Sequence, residues 1–349
     1  MTRVKVAVIG CGHLGTIHAR LLAARADVEL VAVVDPVGES RQRVAEAHGC
    51  RPLADPQELV GLADAVVVAA PTCLHAEVSL PLLSQGIDLL IEKPIAADRR
   101  EADQIVATAD RHGRIVAVGH VERFNPAWRM AVERCGRIVA VESARLAPFT
   151  FRSLDVGVVL DLMIHDIDLV LSLAPGTLTR VEAQGIVATG GHEDAVRARL
   201  IFSSGLVADL SASRIHPTLS RRVSMWGTQG IVAADFNAKT VEVVAPSSAV
   251  MRGAFDATAV PPADRASLKD RFFTDILPRQ TLAVPDANAI ACEHDDFLSA
   301  VRSRRPALVP AAAGAAALGV AIQVLDGLDC TRLGADSPAA MSPPSRVAA

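Results

Sequence analysis

One short passage limits the fold more than any other. An apolar run, residues 4–9 (VKVAVI), breaks into Gly10, Gly12 and Gly15, spaced G-x-G-x-x-G, and a helical stretch follows to about Ala24. A short run that is apolar on both faces is the mark of a strand buried in a parallel sheet. A second such strand, VELVAVVD, ends at Asp35, and a polar helix then covers Glu39–His48. The alternation continues through ADAVVVAAP, a helix over 75–85, and IDLLIEKP, which ends at Lys93-Pro94. Asp98 is placed to cap a helix to His112, and IVAVGH closes the series at His120. Strands alternating with helices predict an α/β domain with a doubly wound parallel sheet over residues 1–121.

The rhythm then changes. One or two helices are expected near Pro126–Cys135, then a strand (RIVAVESARLA) and a helix (LDLMIHDIDLV). Alternating strands follow: TRVEAQGIVA, DAVRARLIFS, GLVADLSASR, RRVSMWGT, GIVAADF and KTVEVVA. That pattern predicts a second α/β domain, 122–330, with a large, mostly antiparallel open sheet covered on one face. Helices near 288–304 and 311–327 end it, and 331–349 reads as a flexible tail.

Composition narrows the partners. The net charge of −4 gives no basic field for nucleic acid or an anionic membrane. Aromatic residues make up 3% and Tyr is absent, so platforms for base stacking are scarce. The six cysteines form no CxxC pair, which suits free thiols in a reducing compartment. The low-charge stretch Pro310–Leu325 falls short of the ~20 apolar residues that span a bilayer. The N-terminal run Val6–Ile9 is too short for a signal peptide. A cytoplasmic protein without a membrane partner is expected.

The glycines gain meaning from their setting. They follow a strand, open a helix, and precede an acidic strand end, Asp35. That context makes a dinucleotide fingerprint. Gly10 supplies the tight turn, Gly12 the close approach to pyrophosphate, and Gly15 the helix–strand packing. His13 and Leu14 open the helix whose N–H groups face the phosphates. Asp35 suits the ribose hydroxyls and repels a 2′-phosphate, so NAD is expected over NADP; Arg41 is the residue that keeps NADP open. The other strand ends add Pro71, Thr72, His75, Glu92, Lys93 and His120 to the cofactor set.

These pieces together resemble the Gfo/Idh/MocA oxidoreductase family. The resemblance rests on GCGHLGTIHA, Asp35, APTCLHAEVSL, EKPIA, VGHVERFNPA, LDLMIHDIDLV and CEHDDFLSAVRSRRPALV, and spans about residues 3–330. It implies a Rossmann domain, then an α/β domain whose open sheet makes homodimer or homotetramer contacts. It also implies that Lys93, Asp161 and His165 form the catalytic set. Within the family, GHVERFNPA with DLMIHDID is most similar to members that oxidise the 3-hydroxyl of UDP-N-acetylglucosamine to a ketone.

The chemistry can be weighed from the residues too. On a straight helix Asp161, His165 and Asp168 fall at i, i+4 and i+7 on one stripe, and Asp166 points elsewhere. A salt-bridged cluster and a zinc site compete with an acid–base group. No metal is expected, because the nicotinamide signal needs none. Alcohol oxidation needs a proton acceptor and a group that stabilises the oxyanion. An unperturbed His titrates near working pH, so His165 is read as the acceptor and Lys93 as the polarising cation; the reverse assignment stays open. Asp161 would bind the substrate or orient His165. Arg123 and Asn125 are expected at the substrate, with Arg145, Arg152 and Arg214 as further pyrophosphate partners. Three alternatives remain: a polyol, inositol or free-sugar dehydrogenase, a glycosidase that uses NAD transiently, and an NAD sensor without turnover.

Overall fold

The computed structural model describes residues 3–151 and 154–334. The chain divides into two compact units. The first holds Met1–Phe124 and Asn288–Gln323; the second holds Asn125–Ala287 and resumes at Val324.

In the first unit, a six-stranded parallel sheet runs β3-β2-β1-β4-β5-β6. Its strands are β1 (Val4–Ile9), β2 (Val28–Val34), β3 (Arg51–Leu53), β4 (Ala65–Val68), β5 (Asp88–Ile91) and β6 (Val116–Val118). Every residue of β4 and β5 is buried, as apolar runs sandwiched between helices should be. The helices are α1 (His13–Ala23), α2 (Gly38–His48), α3 (His75–Ser84) and α4 (Arg99–His112). Asp98 caps α4 as expected, accepting from Glu101 N–H at 2.8 Å. Strand order reverses between β1 and β4, and the crevice at such a switch point is where dinucleotides bind.

The second unit carries a nine-stranded sheet, ordered β14-β13-β12-β11-β7-β10-β9-β8-β15. The strands are β7 (Ile138–Leu146), β8 (Leu178–Val187), β9 (Ala195–Phe202), β10 (Val207–Ser213), β11 (Ser220–Gly227), β12 (Gly230–Asp235), β13 (Thr240–Val244), β14 (Arg279–Ala283) and β15 (Leu328–Arg332). Pairing is antiparallel except at β10–β7 and β15–β8. Helix α5 (Pro126–Cys135) packs on β12 and β13. The stretch LDLMIHDIDLV is not one regular helix: a π-helical turn, Val159–Met163, leads into α6 (Ile164–Leu171). A short α7 (Ser248–Met251) and α8 (Arg265–Asp270) lie between β13 and β14.

Helix α9 (Ala289–Ser303) belongs to the first unit, and α10 (Ala311–Asp326) follows it. Phe297, Leu298, Ala300 and Ala307 join Val6, Val8, Val33 and Leu90 in one buried cluster. Beyond α9, Val118 N–H donates to Val309 O at 2.9 Å, so the returning chain covers part of the β6 edge. The second domain expected over 122–330 is thus interrupted by a segment that completes the first unit. Thr331 and Arg332, read as the start of a tail, belong to β15, where they pair with β8. Residues 335–349 of that tail lie outside the described residues.

Candidate active site

The strand ends of the first unit build the cofactor crevice. Gly10 turns at φ +93°, and a Cβ there would lie 2.4 Å from the Ala69 carbonyl oxygen. A Cβ on Gly15 would sit 1.7 Å from the Gly10 carbonyl oxygen. Both positions therefore exclude any side chain. At Gly12 nothing lies within 4 Å, so the backbone is open toward a ligand. Helix α1 starts here without a side-chain cap, and His13 and Leu14 are exposed. The first N–H groups of such a helix suit an anion.

Asp35 is tied to this loop. Its Oδ2 accepts from Cys11 N–H at 2.7 Å and its Oδ1 from Val37 N–H at 2.8 Å. The Arg41 guanidinium donates to the carbonyls of Asp35 and Pro36 at 3.1 and 3.0 Å. A carboxylate held at the second strand end, with the nearby arginine turned onto backbone, fits NAD and disfavours a 2′-phosphate. The Cys11 thiol beside it is pushed up to about 11, first by burial and then by the Asp35 charge, so it is no nucleophile.

His75 ties two loops together. Its Nδ1 lies 2.9 Å from the Pro94 carbonyl and its Nε2 2.9 Å from the Ala70 carbonyl. Burial holds its pKa below the usual imidazole range, against the pull of the carbonyls. A neutral ring can donate to one carbonyl at a time. The ring fastens the strand ends after β4 and β5, and Pro71 and Thr72 lie on the turn it anchors. Lys93, half-buried, follows Glu92 at the end of β5 and precedes the cis Lys93-Pro94 bond. His120 is buried just past β6.

In the second unit Asp161 lies on the π turn and His165 at the start of α6, both half-buried. Asp166 and Asp168 are buried. Asp161 lies on the π turn, so its spacing to His165 departs from a regular 3.6-residue period, while His165 and Asp168 stay three apart on α6. Asp166 does point elsewhere, onto Arg145 of β7: Arg145 Nη2 donates to Oδ1 at 2.8 Å and Nε to Oδ2 at 3.2 Å. The start of the π turn is fixed by Val159 N–H donating to Glu193 Oε1 at 3.1 Å. Burial pushes the Glu193 carboxyl up, against the hydrogen bond from Val159.

Arg214 is likewise buried and committed. Its Nε donates to Asp194 Oδ1 at 2.7 Å and its Nη1 to Val156 O at 2.9 Å. Its guanidinium lies 5.7 Å from the centre of the Phe149 ring. Arg145 and Arg214, expected as further pyrophosphate partners, are buried opposite carboxylates. Arg152 lies outside the described residues. Asn125 caps α5, accepting from Ala127 N–H at 3.0 Å, and Arg123 is half-buried in the turn before it. A cavity of about 670 Å³ opens in this unit, lined by Phe149, Phe151, Leu154, His192, Arg214 and His216.

Sequence reading missed a buried set in the first unit: His18, Glu293 and His294, gathered around Glu92. The available signal was the pair Glu293-His294 in the helical stretch near 288–304, close to the apolar Phe297 and Leu298. Among the described residues, no group of three or more His, Cys, Asp or Glu side chains is placed to hold a metal. No helix among them is long and apolar enough to cross a membrane.

Sheet order, glycine loop and acidic strand end together define an oxidoreductase that binds NAD on a Rossmann fold. Residues 4–120 match the GFO_IDH_MocA oxidoreductase family with an NAD-binding Rossmann fold, and 117–233 match the GFO/IDH/MocA C-terminal domain. The chain belongs to the GFO/IDH/MocA family. It is 32% identical over 325 residues to UDP-N-acetylglucosamine 3-dehydrogenase from Acidithiobacillus ferrooxidans, covering 93% of this chain and 97% of that one. The solved structure of that organism's UDP-N-acetylglucosamine 3-dehydrogenase GnnA superposes with a TM-score of 0.81 at 31% identity, covering 94% and 98% of the two chains. An inositol 2-dehydrogenase from Rhizobium meliloti is 30% identical over 250 residues, 66% of this chain and 76% of that one.

Proposed function

We propose that this protein oxidises the 3-hydroxyl of UDP-N-acetylglucosamine to a 3-keto sugar. The observation that carries this reading is its likeness, over nearly the full length of both chains, to a dehydrogenase of that substrate.

Bound NAD supplies the hydride acceptor. The protein's own residues divide the rest. His165 takes the hydroxyl proton as the carbinol is oxidised. Lys93, as a cation, holds and polarises the same oxygen, which lowers the cost of its developing charge. Asp161 binds the substrate or orients His165. Arg123 and Asn125 contact the sugar nucleotide. Pro71, Thr72, Glu92 and His120 shape the cofactor crevice, and His75 holds its loops in place. On the second unit's sheet, Trp226 and its cross-strand neighbour Ile231 are exposed, which supports a homodimer or homotetramer formed through that face.

The test is direct. Purified protein is incubated with NAD and a panel of UDP-sugars and polyols, following NADH absorbance and product mass. NADH with UDP-N-acetylglucosamine and a product two mass units lighter is expected. Turnover with inositols alone would replace this reading with the second one, an inositol dehydrogenase, which the Rhizobium relative favours.

A further inference from the structure

His18, on α1, lies between two partners. Its Nε2 is 2.8 Å from Glu92 Oε1 and its Nδ1 is 2.7 Å from His294 Nε2 on α9. All three side chains are buried, and His18 and His294 show no exposure at all. Glu92 retains a small accessible edge, with its side chain 12% exposed. Glu92 directly follows β5, at the carboxyl end of the parallel sheet, where ligands of such sheets bind.

The carboxylate is fixed from several sides. Its second oxygen accepts from Lys93 N–H at 3.2 Å. A Cβ on Gly119, just past β6, would come within 2.8 Å of that same oxygen. Gly119 therefore leaves the room the carboxylate occupies. The ionisable groups facing Glu92 are His18 from α1, Lys93 from its own turn, His75 from α3, and Glu293 with His294 from α9.

The charge in this cluster can be placed. His18 Nε2 must carry a proton to bond an ionised Glu92. Burial opposes charge on Glu92, but the hydrogen bond from His18, helped by the Lys93 charge, outweighs it and holds the carboxyl below its ordinary range. His294 stays neutral, because burial, helped by the Arg25 charge, pulls it down to about 3. Glu293 makes no side-chain hydrogen bond among the described residues. Burial, and then the Glu92 charge, push it well above the carboxylate range. Of two buried carboxyls, one is thus held down and the other pushed up.

We propose that His18, backed by His294, keeps Glu92 ionised, and that this fixed negative charge makes the crevice prefer oxidised NAD over NADH. The physical basis is simple. The oxidised nicotinamide ring carries a positive charge and the reduced ring does not. A buried anion at the crevice discriminates between them more strongly than one in water. The inference rests on Glu92 facing the cofactor crevice, but not on the identity of the sugar. His18 and His294 are positioning residues in this scheme, acting through Glu92.

Binding measurements on the full-length protein without sugar decide it. Dissociation constants for NADH come from its fluorescence and for NAD from competition, between pH 6 and pH 8.5. Wild type is expected to hold a constant preference across this range. Glu92→Gln should weaken NAD about tenfold and leave NADH within about twofold. His18→Leu should match wild type at pH 8.5 and fall toward Glu92→Gln at pH 6, as the unsupported carboxylate takes up a proton. Should His18→Leu fail to fold, Glu92→Gln alone remains decisive. Equal changes in both constants, or no change in either, would overturn the inference. Neither outcome bears on whether UDP-N-acetylglucosamine is turned over, so this test and that of the substrate fail separately.

Discussion

Arg145 and Asp166 form a two-pronged ion pair buried between β7 and α6, with bonds of 2.8 and 3.2 Å. The pair pins the helix that carries His165 to the sheet beneath it. Removing one partner strands a buried charge, which costs about 3–5 kcal/mol. Arg145→Met should therefore lower the urea midpoint sharply. Arg145→Met combined with Asp166→Leu should recover most of the loss, since a well-packed apolar pair replaces buried ions at little cost. Additive losses in the double variant would show that the pair is not coupled.

Asp35 offers a test of cofactor choice. Its carboxylate is held by Cys11 and Val37 N–H groups at 2.7 and 2.8 Å. Asp35→Ala should weaken NAD by tenfold or more, the scale of ~1.5–3 kcal/mol for a charged hydrogen bond. NADP should lose much less, narrowing the gap between the two. Titration by fluorescence quenching reads both. An unchanged NAD affinity would remove Asp35 from the ribose site.

Catalysis and cofactor binding should separate at His165. His165→Ala is expected to lower kcat about 10²–10⁴-fold while leaving NAD affinity unchanged. Lys93→Ala should lower kcat comparably. Steady-state kinetics and equilibrium binding on the same preparations check both, and near-normal turnover in either variant would reassign its role.

Stability should depend on pH through two neighbours of opposite sign. The folded state holds His294 down at about 3, below its ordinary 6.5. The unfolded chain therefore binds the extra proton first, and this stabilisation is complete above about pH 6.5 and falls away toward pH 3. Its size is on the order of a few kcal/mol. Glu293 is raised, so its contribution is complete below its ordinary value of 4.5 and is lost as pH rises. His294→Phe should flatten the acid limb of unfolding free energy against pH. Glu293→Gln should flatten the limb above pH 4.5. Unchanged slopes would contradict these charge states.

Much of the first unit could be read from its residues, because most of its strands announce themselves by an apolar run and the turns between them by glycine, proline or an acidic cap. Asp98 and Gly113 bracket α4 where expected. β3 spans three residues and is partly exposed, too short for any period to register. β15 follows directly on α10 and gains its identity from β8, which is remote in sequence. The π turn before α6 has no compositional signature that a 3.6-residue period would reveal. The burial of Arg145 and Arg214 has no local signature, because it depends on a distant carboxylate; Asp166 and Asp194 lie 21 and 20 positions away. The His18–His294 contact spans 276 positions, beyond any local pattern.

The return of residues 288–323 to the first unit has a consequence for synthesis. A ribosome finishes all of Met1–Phe124 long before Phe297 and Leu298 exist. Until then the cluster around Val6, Val8 and Leu90 is missing part of its cover. The nucleotide-binding half cannot close behind the ribosome in the order it is made. It waits for residues 288–323, and a fragment ending at Phe124 should emerge sticky and prone to aggregate.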